Sequence, residues 1–261
     1  MCNWIGRKRH VLGASASFFT VGLCLMSAVD STARAQSATA PVEVTLLELV
    51  DANGDTPSDP SSLLFHGLTP GHEPVLAPPY DVDPSQRQQL TLADISGVGG
   101  TGHIERVPEG TRLTLELSGL QPGGVYTVWS DFYVPPGLTP DFANSVGLGA
   151  FGAADGSENS FVAASDGTAS FEGIQPPGPL SIYGEAPEYA LAPGISDYIL
   201  FIAYHIDGQT HGTVPAPAGL EHTFASYAIV DFANPIPEPS SVALLVVAAF
   251  GAFISLRKRL D

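Results

Sequence analysis

The chain has 261 residues, 44% of them hydrophobic and 14% charged, and its 27 acidic against 10 basic side chains give a formal charge of −17. The imbalance is concentrated in residues 36–236, where 24 acidic residues stand against Arg87, Arg106 and Arg112 with no lysine, a formal charge of −21. Each phosphate contact needs a cation that this segment lacks, which excludes nucleic acid and anionic membrane as partners of this segment and leaves divalent cations, basic partners or a merely acidic exported surface.

At the N-terminus, Arg7-Lys8-Arg9 precedes an apolar run from Val11 to Met26, and Ala33-Arg34-Ala35 has the small-x-small form of a cleavage site before Gln36. The pattern predicts a secretory signal helix within residues 1–35, removed on export through the translocon. Cys24 follows Leu23, where lipidation needs a small residue, so a lipoprotein site is rejected. Cys2 and Cys24 both lie in the removed segment, and the exported domain, 36–236, must stand on its core without a disulfide.

The pattern of that domain is β. Val42 to Val50 is β-branched and apolar, Gln89 to Ile95 alternates, and Thr111 to Ser118 puts Leu113, Leu115 and Leu117 on one face with Thr114, Glu116 and Ser118 on the other. Val125 to Val134 follows, and further strands are expected at 160–164, 168–173, 180–183, 198–206 and 223–231, separated by Gly, Pro, Asp and Asn clusters. No segment sustains a helical period. Many short strands with Gly and Pro turns predict an all-β, elaborated antiparallel β-sandwich.

Two stretches between these strands resemble known sites only in part. Asp51-Ala52-Asn53-Gly54-Asp55 begins like a calcium loop, but Thr56 stands where that loop needs glycine and Ser62 where it needs glutamate, so an Asp/Asn turn is the better reading. The surrounding segment 51–87 is long for a connection, which suggests a functional or mobile loop. Gly97, Gly99, Gly100 and Gly102 lack the Lys-Ser/Thr ending of a phosphate loop and are expected to form a turn.

Leu120-Gln121-Pro122-Gly123-Gly124-Val125-Tyr126 resembles the Leu-x-Pro-x-x-x-Tyr corner of fibronectin type III-like and immunoglobulin-like sandwiches. The resemblance implies that the Tyr126 hydroxyl bonds back to the upstream backbone. About 100 residues follow the corner strand, so the topology is expected to be elaborated beyond a simple domain of that class.

Candidate chemistry falls in two places. Trp129, Asp131 and Tyr133 share one face of their strand, offering aromatic stacking beside a carboxylate for a sugar ring; the competing reading packs Trp129 in the core. His205-Ile206-Asp207-Gly208-Gln209-Thr210-His211, with His222 further on, offers imidazole and carboxylate ligands for a divalent metal such as zinc or copper. Against a metal, His205 follows Ile199, Phe201 and Ala203 on one strand face, as a hydrogen-bonded histidine at a core edge would. No Gly-x-Ser-x-Gly elbow, His-Glu-x-x-His pair or mature cysteine nucleophile is present, and His103-Ile104-Glu105 lacks a downstream cysteine pair. A glycosidase-like carboxylate pair stays open, since sequence gives no distances.

The C-terminus reads Pro237-Glu238-Pro239, then an uncharged run over Ser240–Leu256, then Arg257-Lys258-Arg259. Seventeen residues span about 26 Å as a helix, the short end of a transmembrane span, and the basic cluster is expected to stay cytoplasmic. The order resembles the PEP-CTERM sorting signal of bacterial exported proteins. The resemblance implies recognition of Pro237, Glu238 and Pro239 by a membrane-embedded exosortase over 237–261, transient anchoring, then release to the cell surface or beyond. Bearers of this signal are often associated with extracellular polysaccharide. The expectation is therefore an exported structural or adhesive envelope protein, with a carbohydrate-binding module or a metal-binding envelope enzyme as alternatives.

Overall fold

A computed structural model describes residues 37–46, 48–67, 71–139 and 142–233. The predicted signal helix, the Pro237-Glu238-Pro239 motif, the transmembrane run 240–256 and the basic cluster 257–259 lie outside the described residues. Thirteen strands are described: β1 Ser37–Val44, β2 Leu49–Val50, β3 Phe65–His66, β4 Gly99–Val107, β5 Gly110–Ser118, β6 Val125–Tyr133, β7 Ser145–Ala150, β8 Ser160–Val162, β9 Ala169–Gln175, β10 Gly178–Pro179, β11 Tyr183–Ala186, β12 Asp197–His205 and β13 Phe224–Ala233. One four-residue helix, α1 (Leu92–Ile95), and two short 3-10 turns are the helical elements among the described residues. None of these helices is long and apolar enough to cross a membrane.

The all-β reading holds. Instead of two separate sheets, however, eleven strands form one continuous antiparallel sheet in the order β10-β11-β7-β6-β12-β13-β1-β4-β5-β9, with β8 beside the first half of β6. β2 and β3 make a separate two-stranded pair. The long sheet curls until its β9 edge meets β6 and β8: the Ser130 hydroxyl donates to Gln175 Oε1 at 3.1 Å, and the Phe161 and Phe171 rings lie 5.9 Å apart. A twisted sheet of this many strands must curl or split to cover its apolar face.

The enclosed face holds a single large core. Leu113, Leu115 and Leu117 of β5 are buried as their alternation predicts, while Glu116 and Ser118 point outward. Opposite them sits a layer of aromatic rings: Tyr126, Tyr204 and Tyr227 lie 5.3–5.6 Å from one another, and Phe132 stacks on Tyr198 at 4.7 Å. Burial pushes the phenol groups of Tyr126, Tyr204 and Tyr227 upward, so they stay neutral and need hydrogen-bond partners. Tyr204 donates to Leu76 O at 2.8 Å, and the Tyr126 hydroxyl accepts from Gln121 N at 3.0 Å. The latter is the corner contact expected from the Leu120–Tyr126 stretch.

Several expected elements differ. Residues 89–95 are not a strand: Gln89 and Thr91 form isolated bridges, and Leu92–Ile95 is helical. Asp94 decides this, because its carboxylate accepts from both Thr91 N and Thr91 Oγ1 at 2.7 Å and so caps a helical turn that the Leu90/Leu92 alternation conceals. Gly99, Gly100 and Gly102 belong to β4, not to a turn. A Cβ on Gly102 would stand 2.7 Å from Val230 Cγ1 and 3.0 Å from Phe232, so glycine here permits the strand to approach the core closely. The first strand is displaced to Ser37–Val44 with Leu49–Val50 separate, the 180–183 strand is replaced by β10 and β11 on either side of a bend, and β7 lies where no strand was expected.

Segment 51–87 is tied down over its described residues. Val75 N bonds Leu64 O at 3.0 Å, Leu90 N bonds Val75 O at 2.8 Å, and Leu64, Val75 and Leu76 are buried in the main core. Arg87 fastens the layer to the end of β12, donating to Leu76 O, Ala77 O and Ile206 O at 2.7–3.2 Å while lying 5.0 Å over the Tyr80 ring.

Replacing Tyr126 with Phe leaves Gln121 N–H without its acceptor and should lower unfolding stability by about 1–2 kcal/mol without altering the sheet. Urea unfolding of Tyr126→Phe measures this; an unchanged midpoint would mean the corner bond adds nothing.

Candidate functional site

The outer face of the central strands carries the candidate site. β6 and β12 pair with Phe201 opposite Trp129, which places Thr127, Trp129, Asp131 and Tyr133 beside Ile199, Phe201, Ala203 and His205 on the side away from the main core. Trp129, Ala150 and Ala203 form a second, smaller apolar cluster there, with Phe201 and Phe224 packed against it. Above this cluster opens a groove of about 550 Å³. Its floor is Trp129, Phe201 and Phe224, and its wall includes Phe142, Ile182 and Tyr183, which are 39%, 41% and 43% exposed. Large solvent-facing apolar groups around a concavity are the mark of a binding surface.

Two carboxylates reach the groove. Asp131 is 3% exposed and accepts from Tyr133 Oη at 2.6 Å and from the Ser145 hydroxyl, which in turn contacts Tyr183 Oη. Burial raises the Asp131 carboxyl above its ordinary range, an effect that the Ser145 and Tyr133 hydrogen bonds oppose. Glu48 accepts from Ser226 N at 3.0 Å.

The structure therefore brings Trp129 and Asp131 together as the sequence suggested, with different exposure. Trp129 is only 3% exposed, so the indole is a packed floor and not an open platform. Tyr133 is fully buried and serves Asp131 through its hydroxyl instead of lining the groove. The exposed ring linked to Asp131, through Ser145, is Tyr183, which arrives from β11, about fifty residues downstream. No alternation within β6 signals that partner.

At the other end of the same face, His205 is fully buried. Its Nε2 shares a 2.8 Å hydrogen bond with Thr127 Oγ1, which also accepts from Trp129 Nε1 at 2.8 Å. His205 Nδ1 has no hydrogen-bond partner among the described residues. Asp207 Oδ2 and His211 Nε2 are 3.1 Å apart, and one ligand atom from each of His205, Asp207 and His211 falls within 4.8 Å of the others. Burial lowers the His205 imidazole to about 4, against the pull of Asp207, so the ring is neutral near pH 7. His222 does not join this group; its Nδ1 lies 3.6 Å from Glu73 Oε2.

The Asp51 stretch is a turn. Asp51 Oδ1 accepts from Asn53 N at 2.8 Å and Asp55 N at 3.1 Å, and these bonds hold its carboxyl below the ordinary value. A second depression, about 720 Å³ and bounded by Gly100, Thr101, Glu116 and Val162, carries no aromatic lining residue and no histidine.

No protein-family model matches the chain, and no curated protein matches it.

Against Phe224 of the groove floor, His66, which pairs opposite Leu49, packs edge-on at 5.8 Å. Burial depresses its imidazole below 6.5, opposed by Glu48 and Glu73 and aided by His222. The unfolded ring then binds a proton more readily than the folded one, so this contribution is complete above pH 6.5 and is lost as pH falls below it. The melting temperature should drop from about pH 7 to about pH 5, with His205 contributing in the same direction, and His66→Gln should reduce the slope without abolishing it. An unaltered slope in that variant would assign the loss to other groups.

Proposed function

We propose that this chain is an exported protein of the cell envelope or extracellular matrix, sorted by an exosortase at Pro237-Glu238-Pro239. Its β domain acts as an adhesive module that takes a segment of neutral polysaccharide into the groove beside Trp129. The observation that supports adhesion is the groove: aromatic side chains on floor and wall, with the Asp131 and Glu48 carboxylates at its margin. Aromatic faces pack against the C–H faces of sugar rings, and carboxylates accept hydroxyl hydrogens. The −21 charge of residues 36–236 repels anionic glycans, which is why the ligand class is neutral. Support for sorting comes from the C-terminal tripartite order alone.

Removing residues 237–261 should release the protein from the membrane fraction with its β domain folded, as read by fractionation and circular dichroism. Continued membrane retention of the truncated protein would overturn the anchor. For the groove, affinity electrophoresis against neutral polysaccharides should show retardation, weakened about tenfold by Tyr183→Ala, equivalent to about 1.4 kcal/mol. Equal retardation of variant and parent would remove the groove from the binding surface.

A further inference from the structure

We propose that His205, Asp207 and His211 bind one first-row transition-metal ion, zinc or copper, at the end of β12. This site lies outside the sugar groove and does not depend on a glycan binding there.

Local sequence brings the ligands together. His205 is the last residue of β12, and Gly208, at φ +72°, reverses the chain so that His211 returns beside Asp207. Gly208 cannot be replaced by a larger residue, because a Cβ would stand 2.4 Å from the Tyr80 ring. Asp207 is fixed from its own turn, with Oδ1 accepting from Gln209 N at 3.0 Å while Oδ2 faces His211. Two imidazoles and one carboxylate, all within 4.8 Å, need a contraction to about 3.3 Å spacing to surround an ion with bonds near 2.0–2.1 Å. His211 and Asp207 keep partial exposure, which leaves an entry path.

The second observation is the unpartnered His205 nitrogen. A fully buried imidazole with one nitrogen bonded to Thr127 and the other unbonded is an unfavourable arrangement in a polypeptide alone. It is the usual arrangement of a metal-ligating histidine, in which one nitrogen takes the ion and the other donates to a fixed acceptor that sets the tautomer. Here Nδ1 is the ligand, and Nε2–H donates to Thr127 Oγ1, itself held by Trp129 Nε1. Burial keeps His205 neutral, so its lone pair is available near pH 7. An N₂O donor set with a vacant fourth position suits zinc or copper, whereas calcium and magnesium prefer oxygen ligands throughout.

The ion would fasten the segment 206–223 to β12. Pro215 of that segment lines the groove, so the metal would also steady one groove wall.

The test uses the full chain in detergent with Cys2→Ser, Trp4→Phe and Cys24→Ser, so that no thiol competes for the ion and Trp129 is the sole tryptophan, stripped with chelator and titrated with zinc ion alone. Calorimetry should give one ion per chain, and Asp207→Asn and His211→Ala, both at partly exposed positions, should each weaken binding at least thirtyfold. Thr127→Val retains all three ligands and should weaken it about tenfold through the lost orienting bond. Titration with copper ion should quench Trp129 emission in the parent and not in His211→Ala. No stoichiometric ion in the parent would overturn the proposal. So would zinc binding that Asp207→Asn and His211→Ala leave unchanged, since the ion would then lie elsewhere.

Discussion

Strand β6 carries the constraint on which the rest of the molecule depends: eight of its nine residues are buried, so neither face is left to solvent. Its inner side chains, Tyr126, Val128, Ser130 and Phe132, meet β9 and the aromatic layer across the main core. Its outer side chains, Thr127, Trp129, Asp131 and Tyr133, are buried without belonging to that core. A strand buried on both faces must supply partners for its polar groups, and each one here has them. Thr127 bonds His205 and Trp129, Ser130 bonds Gln175 and Tyr198, and Asp131 bonds Tyr133 and Ser145. The candidate site is the outer half of this arrangement.

Part of the acidic charge has a structural explanation. Asp51, Asp59, Asp83, Asp155 and Asp166 each accept the backbone N–H two residues on, and each has its carboxyl held low by those bonds. They are turn residues, placed where short strands must reverse. The cations are equally committed: Arg87 clamps the 74–90 layer, Arg106 pairs with Glu188, and Arg112 lies 2.6 Å from Glu105. Asp207 also accepts the N–H two residues on, but its second oxygen faces the His211 imidazole beside His205, and Asp131 lies on the outer face of β6, where it accepts from Tyr133 and Ser145. Location, not net charge, separates them.

Much of the fold was legible because a half-buried strand writes its burial into alternation. Leu113, Leu115 and Leu117 announced β5, and the resemblance of Leu120–Tyr126 to a sandwich corner implied the corner bond. What could not be read either lacked a local signal or had it masked by a competing one. Gly99 to Gly102 form a strand because they pair with β1 and β5, and at Gly102 the side chains of Val230, Phe232 and Leu115 leave no room for a Cβ; none of these neighbours is local in sequence. The 92–95 turn depends on one carboxylate overriding an apolar alternation. In the site, the His205–Asp207–His211 spacing was visible because all three lie within seven residues. The groove was only half visible: Trp129 and Asp131 were legible on β6, but Phe142, the adjacent Ile182 and Tyr183, and Phe224 arrive from three separate segments.

Thr127 joins the two halves of the outer face, and its chemistry limits how independent they can be. A hydroxyl has one hydrogen and two lone pairs, and Trp129 Nε1 can only donate, so one lone pair is fixed on the indole. The remaining hydrogen and lone pair must suit His205 Nε2, whichever ring nitrogen carries the proton. A tautomer change at His205 therefore reverses the direction of one hydrogen bond while the heavy atoms stay within hydrogen-bond distance. That reversal alters the field at the Trp129 indole, which forms the groove floor. Valine at position 127 would keep the packing volume and break this link, whereas serine would keep the link and loosen the packing. The pair of substitutions separates hydrogen-bond coupling from simple filling of space, because only the first leaves both an indole N–H and an imidazole nitrogen buried without a partner.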